Sequence, residues 1–109
     1  MNWIQLDSLN QLQDIKAEKG YHIIFKHSTR CSISMMAKKR VDMDLNELPE
    51  QVKPYFLDLL AHREISNQIA EVFSVHHESP QLLLIKDGEC ILDQSHGDIS
   101  IDEVLEMVN

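Results

Sequence analysis

Apolar residues along this chain follow two spacings, one typical of buried strands and one typical of amphipathic helices. Residues 22–27 and 82–85 are short runs of β-branched, leucine and aromatic side chains, and they predict two buried strands. Residues 55–60 predict another strand for the same reason. Residues 89–93 follow an Asp-Gly pair, which is a strong signal for a two-residue hairpin turn, so they predict a fourth strand.

Helices are expected in the stretches between these strands. Apolar residues recur every three to four positions in 8–18, 63–73 and 101–108. Residues 33–40 contain no glycine or proline and are also expected to be helical. Asp7 is the predicted N-cap of the first helix.

Glycine, proline and capping residues indicate where the predicted helices begin and end. Gly20 is the predicted stop signal after the first helix. Ser100 and Glu103 form a capping-box pattern at the start of the last helix. Residues 42–54 are acidic and contain two prolines, which predicts a surface connection with a short helical turn at most.

The resulting order is helix, strand, helix, strand, helix, strand, strand, helix. Strands joined by a helical crossover are expected to be parallel, whereas strands joined by a tight turn must be antiparallel. The order therefore predicts an α/β fold, a mixed four-stranded sheet with helices on both faces. With 109 residues, the chain is expected to form a single domain over residues 1–109.

Charge is unevenly distributed along the chain. The net charge is −8, which disfavours nucleic acid as a general partner. Residues 19–41 nevertheless contain no acidic residue and six basic ones, namely Lys19, Lys26, Arg30, Lys38, Lys39 and Arg40. This positive segment is expected to attract anionic partners and to favour negative charge nearby, although a solvated helix end can also collect lysines without a function.

Neither export nor a membrane is suggested by the sequence. No apolar run approaches the roughly 20 residues needed to cross a bilayer, and the N-terminus lacks the basic and apolar segments of a signal peptide. The two cysteines, Cys31 and Cys90, are therefore expected to be free thiols in a reducing cytoplasm.

Cys31 is the main candidate for chemistry. It follows the predicted strand 22–27 and precedes the predicted helix 33–40, so it is expected at or near a helix N-terminus. Unpaired backbone N–H groups at that position stabilise a negative charge, and a thiolate is such a charge. The alternative is an inert buried cysteine, which is common in proteins.

The cysteine motif and its surroundings resemble a known family. The motif reads C-x-x-S, with Ser34 in the place where thioredoxins have a second cysteine. The segments FKHSTRCSIS at 25–34, HREISN at 62–67 and ESPQ at 78–81 together are similar to the monothiol bacilliredoxins. That resemblance covers nearly the whole chain and implies a thioredoxin-like fold, thiol–disulfide exchange and an association with bacillithiol and stress response.

The resemblance also implies roles for particular residues. Cys31 would attack a mixed disulfide between a client protein and a low-molecular-weight thiol, with bacillithiol as thiol co-substrate and no bound cofactor. Ser34 cannot close an intramolecular disulfide but can donate a hydrogen bond to the Cys31 sulfur. Pro80 would be cis beside the cysteine, and Ser79 would offer backbone hydrogen bonds to the disulfide partner. From the residues alone, Pro80 could equally be a trans proline that opens a strand.

Ligand-binding residues are a further implication of the family. Arg30 would assist by its charge or bind the carboxylates of bacillithiol, unless it only faces solvent. Thr29, Gly97 and Asp98 are the other residues expected to hold the small thiol. Gly97 would let a ligand approach the backbone, and the alternative is an ordinary loop glycine before a helix cap.

Cys90 and the histidines are not expected to take part. Cys90 lies beyond the distal hairpin turn, about five residues of ~3.3 Å each from the end near Cys31, which exceeds the ~7 Å Cα limit for a disulfide. His76 and His77 are adjacent and would point in opposite directions in an extended segment. No metal site is therefore predicted, although His27 could influence Cys31 as a cation at low pH.

Two other functions compete with the redox enzyme. A thioredoxin-like module could bind proteins without catalysis, or sense oxidants, with the cysteine incidental or a sensor. A dimer could also carry an iron–sulfur cluster, as some monothiol glutaredoxins do. The residues after Cys31 are Ser32 and Ile33 rather than the glycine usual in such proteins, so this third function is the weakest.

Overall fold

The apolar run predicted at residues 22–27 forms the middle strand of a five-stranded sheet. In the computed structural model, which describes residues 2–108, the strands are β1 (Ile4–Gln5), β2 (Tyr21–His27), β3 (Lys53–Asp58), β4 (Gln81–Lys86) and β5 (Glu89–Ser95). They lie in the order β1-β3-β2-β4-β5. The pairs β1–β3 and β3–β2 are parallel, and the pairs β2–β4 and β4–β5 are antiparallel.

This topology confirms the predicted mixed sheet, including the parallel crossover and the antiparallel hairpin. The sheet has five strands rather than the expected four, because the short β1 adds an edge strand beside β3. Only two residues of β1 pair with β3, so no alternation of apolar and polar residues is long enough to signal it.

Four α-helices connect or follow the strands: α1 (Leu9–Ala17), α2 (Ser32–Asp44), α3 (Arg63–Val72) and α4 (Ile101–Val108). The predicted cap at Asp7 is wrong by one residue. Ser8 is the N-cap, since its Oγ accepts a bond from the Gln11 N–H at 3.3 Å and its own N–H donates to Gln11 Oε1 at 3.1 Å. No helix within residues 2–108 combines the length and apolar character required to span a membrane.

The two faces of the sheet are covered by different helix pairs. Side chains alternate along β2, so Ile23 and Phe25 belong to one hydrophobic cluster and Ile24 belongs to the other. The first cluster includes buried residues of α2 and α4, and the second includes buried residues of α1 and α3. The prediction of helices on both faces is confirmed.

The connection after α2 is not the surface segment that its acidic residues and prolines suggest. Helix α2 continues to Asp44, beyond the expected end at residue 40, and a short 3-10 turn follows at Leu45–Glu47. Leu45, Leu48 and Val52 are buried in the same cluster as α2 and α4. These three apolar residues, spaced by three and four positions, pack the connection against the core although the residues around them are polar.

Truncation of a core residue should show how strongly the sheet depends on burial at the face covered by α1 and α3. Leu83 in β4 is fully buried, so Leu83→Ala should lower the free energy of unfolding by about 2–5 kcal/mol because it leaves a cavity. Ile91 in β5 is 37% exposed, and Ile91→Ala is the matched control, with an expected loss under about 1 kcal/mol. Urea denaturation measures both, and equal losses would contradict this account of the core.

Candidate functional site

Cys31 lies at the first turn of α2, where the chain leaves the central strand. It is the N-cap of the helix, with φ −111° and ψ 122°, and its side chain makes no capping hydrogen bond. Its N–H donates to the Ser28 carbonyl at 3.2 Å, and its carbonyl accepts from the Met35 N–H at 3.0 Å. The thiol is free and half-buried. The predicted placement at a helix N-terminus is confirmed.

Ser34 holds the turn that carries Cys31. Its side chain is fully buried, and its Oγ accepts a hydrogen bond from the Ser28 N–H at 3.0 Å. The same oxygen lies 2.7 Å from His27 Nδ1. The expected hydrogen bond to the Cys31 sulfur is therefore replaced by bonds to His27 and Ser28. Ser34 acts on the shape of the 28–31 turn and not directly on the sulfur.

His27 is packed at the base of this turn. Its ring is stacked on Phe25 with centroids 6.0 Å apart and lies 5.4 Å from the Phe56 centroid. Burial and the nearby Lys38 charge lower the pKa of His27 below its ordinary value of 6.5. His27 can therefore act on Cys31 as a cation only at pH values below about 6.5.

The second wall of the site begins at the adjacent strand. The Ser79–Pro80 peptide bond is cis, as the family resemblance implies. Gln81, the next residue, opens β4 and pairs with Lys26 in β2, so Ser79 and Pro80 lie at the same edge of the sheet as the 28–31 turn. Pro80 is buried and Ser79 is half-buried.

The remaining predicted ligand residues are accessible to solvent. Thr29 and Arg30 are exposed on the turn before Cys31. Gly97 and Asp98 are exposed in the short 3-10 turn His96–Asp98, and a side chain at Gly97 would meet open space. The His96 N–H donates to the Pro80 carbonyl at 3.1 Å, so this turn is attached to the cis-proline wall.

Comparison with known proteins places this geometry in a family. The family model described as monothiol bacilliredoxin BrxC matches residues 4–104. The chain belongs to the monothiol bacilliredoxin family. A solved structure described as a candidate oxidoreductase with a thioredoxin fold is 32% identical, with 94% of this chain and 90% of that chain covered and a TM-score of 0.83.

Two thioredoxins share the fold at much lower identity. The thioredoxin of Malassezia sympodialis is 15% identical over 98% of this chain and 88% of its own, with a TM-score of 0.76. Mitochondrial thioredoxin 3 from Saccharomyces cerevisiae is 15% identical over 97% of this chain and 92% of its own, with a TM-score of 0.74. The predicted thioredoxin-like fold is confirmed, and the family supports a redox function based on a thiol.

A shallow groove runs along α2 from the turn that carries Cys31. It has a volume of about 460 Å³, and its lining includes His27, Ser32, Met35, Met36 and Lys39. Met35 and Met36 are 55% and 63% exposed. The sequence does not signal this groove, because methionines in a helix usually belong to the core.

Lys26 is the residue of the positive segment whose environment differs most from the exposed position expected from the sequence. It belongs to the positive segment 19–41, yet its side chain is fully buried, so it adds no exposed charge there. Its Nζ lies 2.7 Å from His77 Nδ1. Burial lowers the pKa of Lys26 to about 8, although the Glu78 carboxylate acts in the opposite direction.

Cys90 lies at the other end of the sheet from Cys31. It pairs with Ile85 next to the β4–β5 turn, and Lys86 in that turn region pairs with Tyr21, the first residue of β2. The length of β2 therefore separates the two cysteines, as predicted. Burial raises the pKa of Cys90 to about 11, and its Sγ donates to the Leu92 carbonyl at 3.3 Å.

Carboxylates rather than histidines form the one group of possible metal ligands found among residues 2–108. Oxygens of Asp44, Glu47 and Asp102 lie within 4.8 Å of one another. Two of the three residues are exposed, and acidic groups commonly cluster at surfaces without an ion. His76 and His77 make different short contacts, since His77 Nδ1 is 2.7 Å from Lys26 Nζ while His76 Nε2 is 3.9 Å from Glu78.

Selective alkylation should distinguish the two thiols. With a pKa of about 11, Cys90 is only about one-thousandth thiolate near pH 8, so iodoacetamide should label Cys31 much faster. Cys90→Ala should keep the fast phase, and Cys31→Ala should lose it, as mass spectrometry of timed samples would show. In denaturant both cysteines should react at similar rates. Equal rates in the native protein would contradict the assignment.

Removal of the Ser34 hydroxyl should loosen the turn. Ser34→Ala leaves the Ser28 N–H and His27 Nδ1 without their partner, with an expected loss of about 1–3 kcal/mol in the free energy of unfolding. Ser32 is exposed on the same helix turn, so Ser32→Ala is the control and should change stability by under about 0.5 kcal/mol. A Ser34→Ala protein as stable as the control would show that these bonds do not hold the turn.

Proposed function

We propose that this chain is a monothiol thiol–disulfide oxidoreductase that removes bacillithiol, or a similar low-molecular-weight thiol, from protein mixed disulfides. The observation that carries the proposal is the placement of Cys31, a free and half-buried thiol at the N-cap of the 13-residue helix α2. Backbone N–H groups at such a position stabilise a thiolate, which is the nucleophile of disulfide exchange.

The first step exchanges one disulfide for another. The Cys31 thiolate attacks the sulfur of the small thiol in the mixed disulfide, and a Cys31–small-thiol disulfide forms as the client–small-thiol disulfide breaks. The client sulfur leaves as a thiolate and takes a proton from solvent. No net oxidation or reduction occurs in this step, because one disulfide and one thiolate are present before and after it.

The second step restores the cysteine. A second molecule of the small thiol, or the thiol of a partner protein, attacks the small-thiol sulfur on Cys31 and releases the Cys31 thiolate. The electrons that reduce the client are thus supplied by this second thiol. Cys90 is at the opposite end of β2 and Ser34 carries no sulfur, so no second cysteine of this chain competes for the adduct.

The surrounding residues would hold the disulfide in place. The backbone of Ser79 beside Pro80 would pair with the incoming partner, and Arg30 would bind carboxylates of the small thiol because its side chain is exposed and cationic. Thr29, Gly97 and Asp98 are assigned to the same ligand, since the turn His96–Asp98 is bonded to Pro80.

The cellular setting follows from this chemistry. Client proteins modified by bacillithiol and the free small thiol are the proposed partners, in a cytoplasmic response to oxidative stress. No bound cofactor is required, because the co-substrate thiol supplies the electrons. Nucleic acid and membranes are not proposed as partners.

The decisive experiment uses a protein mixed disulfide with bacillithiol and excess free bacillithiol. Wild-type protein should release the small thiol catalytically, Cys31→Ala should lose all activity, and Cys90→Ala should keep activity within about twofold. Mass spectrometry should detect the adduct on Cys31. A stoichiometric adduct without turnover would overturn the enzyme in favour of a sensor, and a brown protein with visible absorbance would favour cluster binding.

A further inference from the structure

A fully buried lysine, the last residue but one of the central strand, contacts an imidazole. Lys26 belongs to β2, its side chain has no exposed surface, and its Nζ lies 2.7 Å from Nδ1 of His77. His77 belongs to the segment between α3 and β4 and is exposed overall. A buried ammonium group requires a hydrogen-bond acceptor, and here the acceptor is a base that can itself take up a proton.

The contact constrains the protonation of both groups. Two cations at this distance repel each other, whereas a lysine ammonium can donate to a neutral imidazole whose proton is on Nε2. Burial and the Lys26 charge lower the pKa of His77 below 6.5. The other groups facing His77 are Glu78, which opposes this shift, and His76 and Arg63, which reinforce it.

The same segment is held from a second strand. Gln81 is buried at the start of β4, pairs with Lys26 across the sheet, and donates from Nε2 to the His76 carbonyl at 3.0 Å. Two neighbouring buried side chains therefore hold residues 76 and 77. Ser79 and Pro80 follow within three residues, so the tether precedes the wall of the site that would receive the disulfide.

We propose that Lys26 is a positioning residue that holds the Ser79–Pro80 wall through His77, and that protonation of His77 releases this wall. The bond from Lys26 needs an unprotonated Nδ1, so protonation of His77 weakens the tether independently of the protonation of Cys31. The consequence for exchange rests on the proposed function, whereas the bond itself does not. Lys26 acts on docking of the disulfide and not on the attacking sulfur.

The first test observes His77 directly by nitrogen NMR of the full chain. Wild-type His77 should be the Nε2–H tautomer at neutral pH and should titrate below 6.5. Lys26→Met keeps the length of the side chain and removes the donor, so His77 should then show both tautomers and titrate closer to 6.5. His76 serves as the internal control. An unchanged His77 in Lys26→Met would overturn the proposal, whether or not the protein is an enzyme.

The second test separates docking from the reactivity of the sulfur. For each variant, the rate of exchange with a protein mixed disulfide is divided by the rate of Cys31 alkylation by iodoacetamide, which cancels the fraction of thiolate. Lys26→Met should lower this ratio about tenfold at neutral pH, while His76→Ala should leave it unchanged. If Lys26 has only a structural role, Lys26→Met should lower the free energy of unfolding, and the ratio of exchange rate to alkylation rate should stay unchanged for the protein that remains folded. That result would overturn the proposal.

The pH dependence of the ratio provides the sharpest comparison. In wild-type protein the ratio should fall as the pH decreases from neutrality through the pKa of His77, which lies below 6.5, because His77 becomes protonated. His77→Gln retains an acceptor oxygen for Lys26 but cannot titrate, so its ratio should stay flat over this range. If Lys26→Met does not fold, the comparison of His77→Gln with wild-type protein is sufficient to test the proposal. A wild-type ratio that is already flat, or a His77→Gln ratio that falls like wild type, would overturn the proposal.

Discussion

Burial of the central strand on both faces is the constraint on which this site depends. Ile23 and Phe25 face one hydrophobic cluster, Ile24 faces the other, and all three are fully buried. The alternation continues into the last two residues, so Lys26 and His27 leave the strand on opposite faces although neither is apolar. Each must find a hydrogen-bond partner there, because an unpaired polar group in a dry environment is costly.

These two partners build the two walls of the site. His27 meets Ser34, whose hydroxyl also binds the Ser28 N–H and so shapes the turn before Cys31. Lys26 meets His77 in the segment that precedes the Ser79–Pro80 wall. One strand therefore positions both sides of the site by hydrogen bonds of buried side chains. These contacts explain why β2 can end in two polar residues, Lys26 and His27, and still be a buried strand.

The distance between the two cysteines supports the single-thiol chemistry that we propose for this chain. Cys31 follows the carboxyl end of β2, whereas Cys90 lies beside the turn next to the strand's first residue. Burial also suppresses ionisation of Cys90, whose pKa is raised to about 11. Ser34, in the position of a second cysteine, contributes bonds to the turn instead of a sulfur.

Local signals in the sequence were sufficient for four of the five strands, for the four α-helices and for the placement of Cys31, since each depends on apolar periodicity or turn chemistry within about a dozen residues. They also carried the motif that marks the family. The partner of Ser34, the burial of Lys26 and the role of Leu48 in the core could not be obtained this way. Each depends on residues brought together from distant parts of the chain, because packing decides which polar group loses its water and must bond to a neighbour.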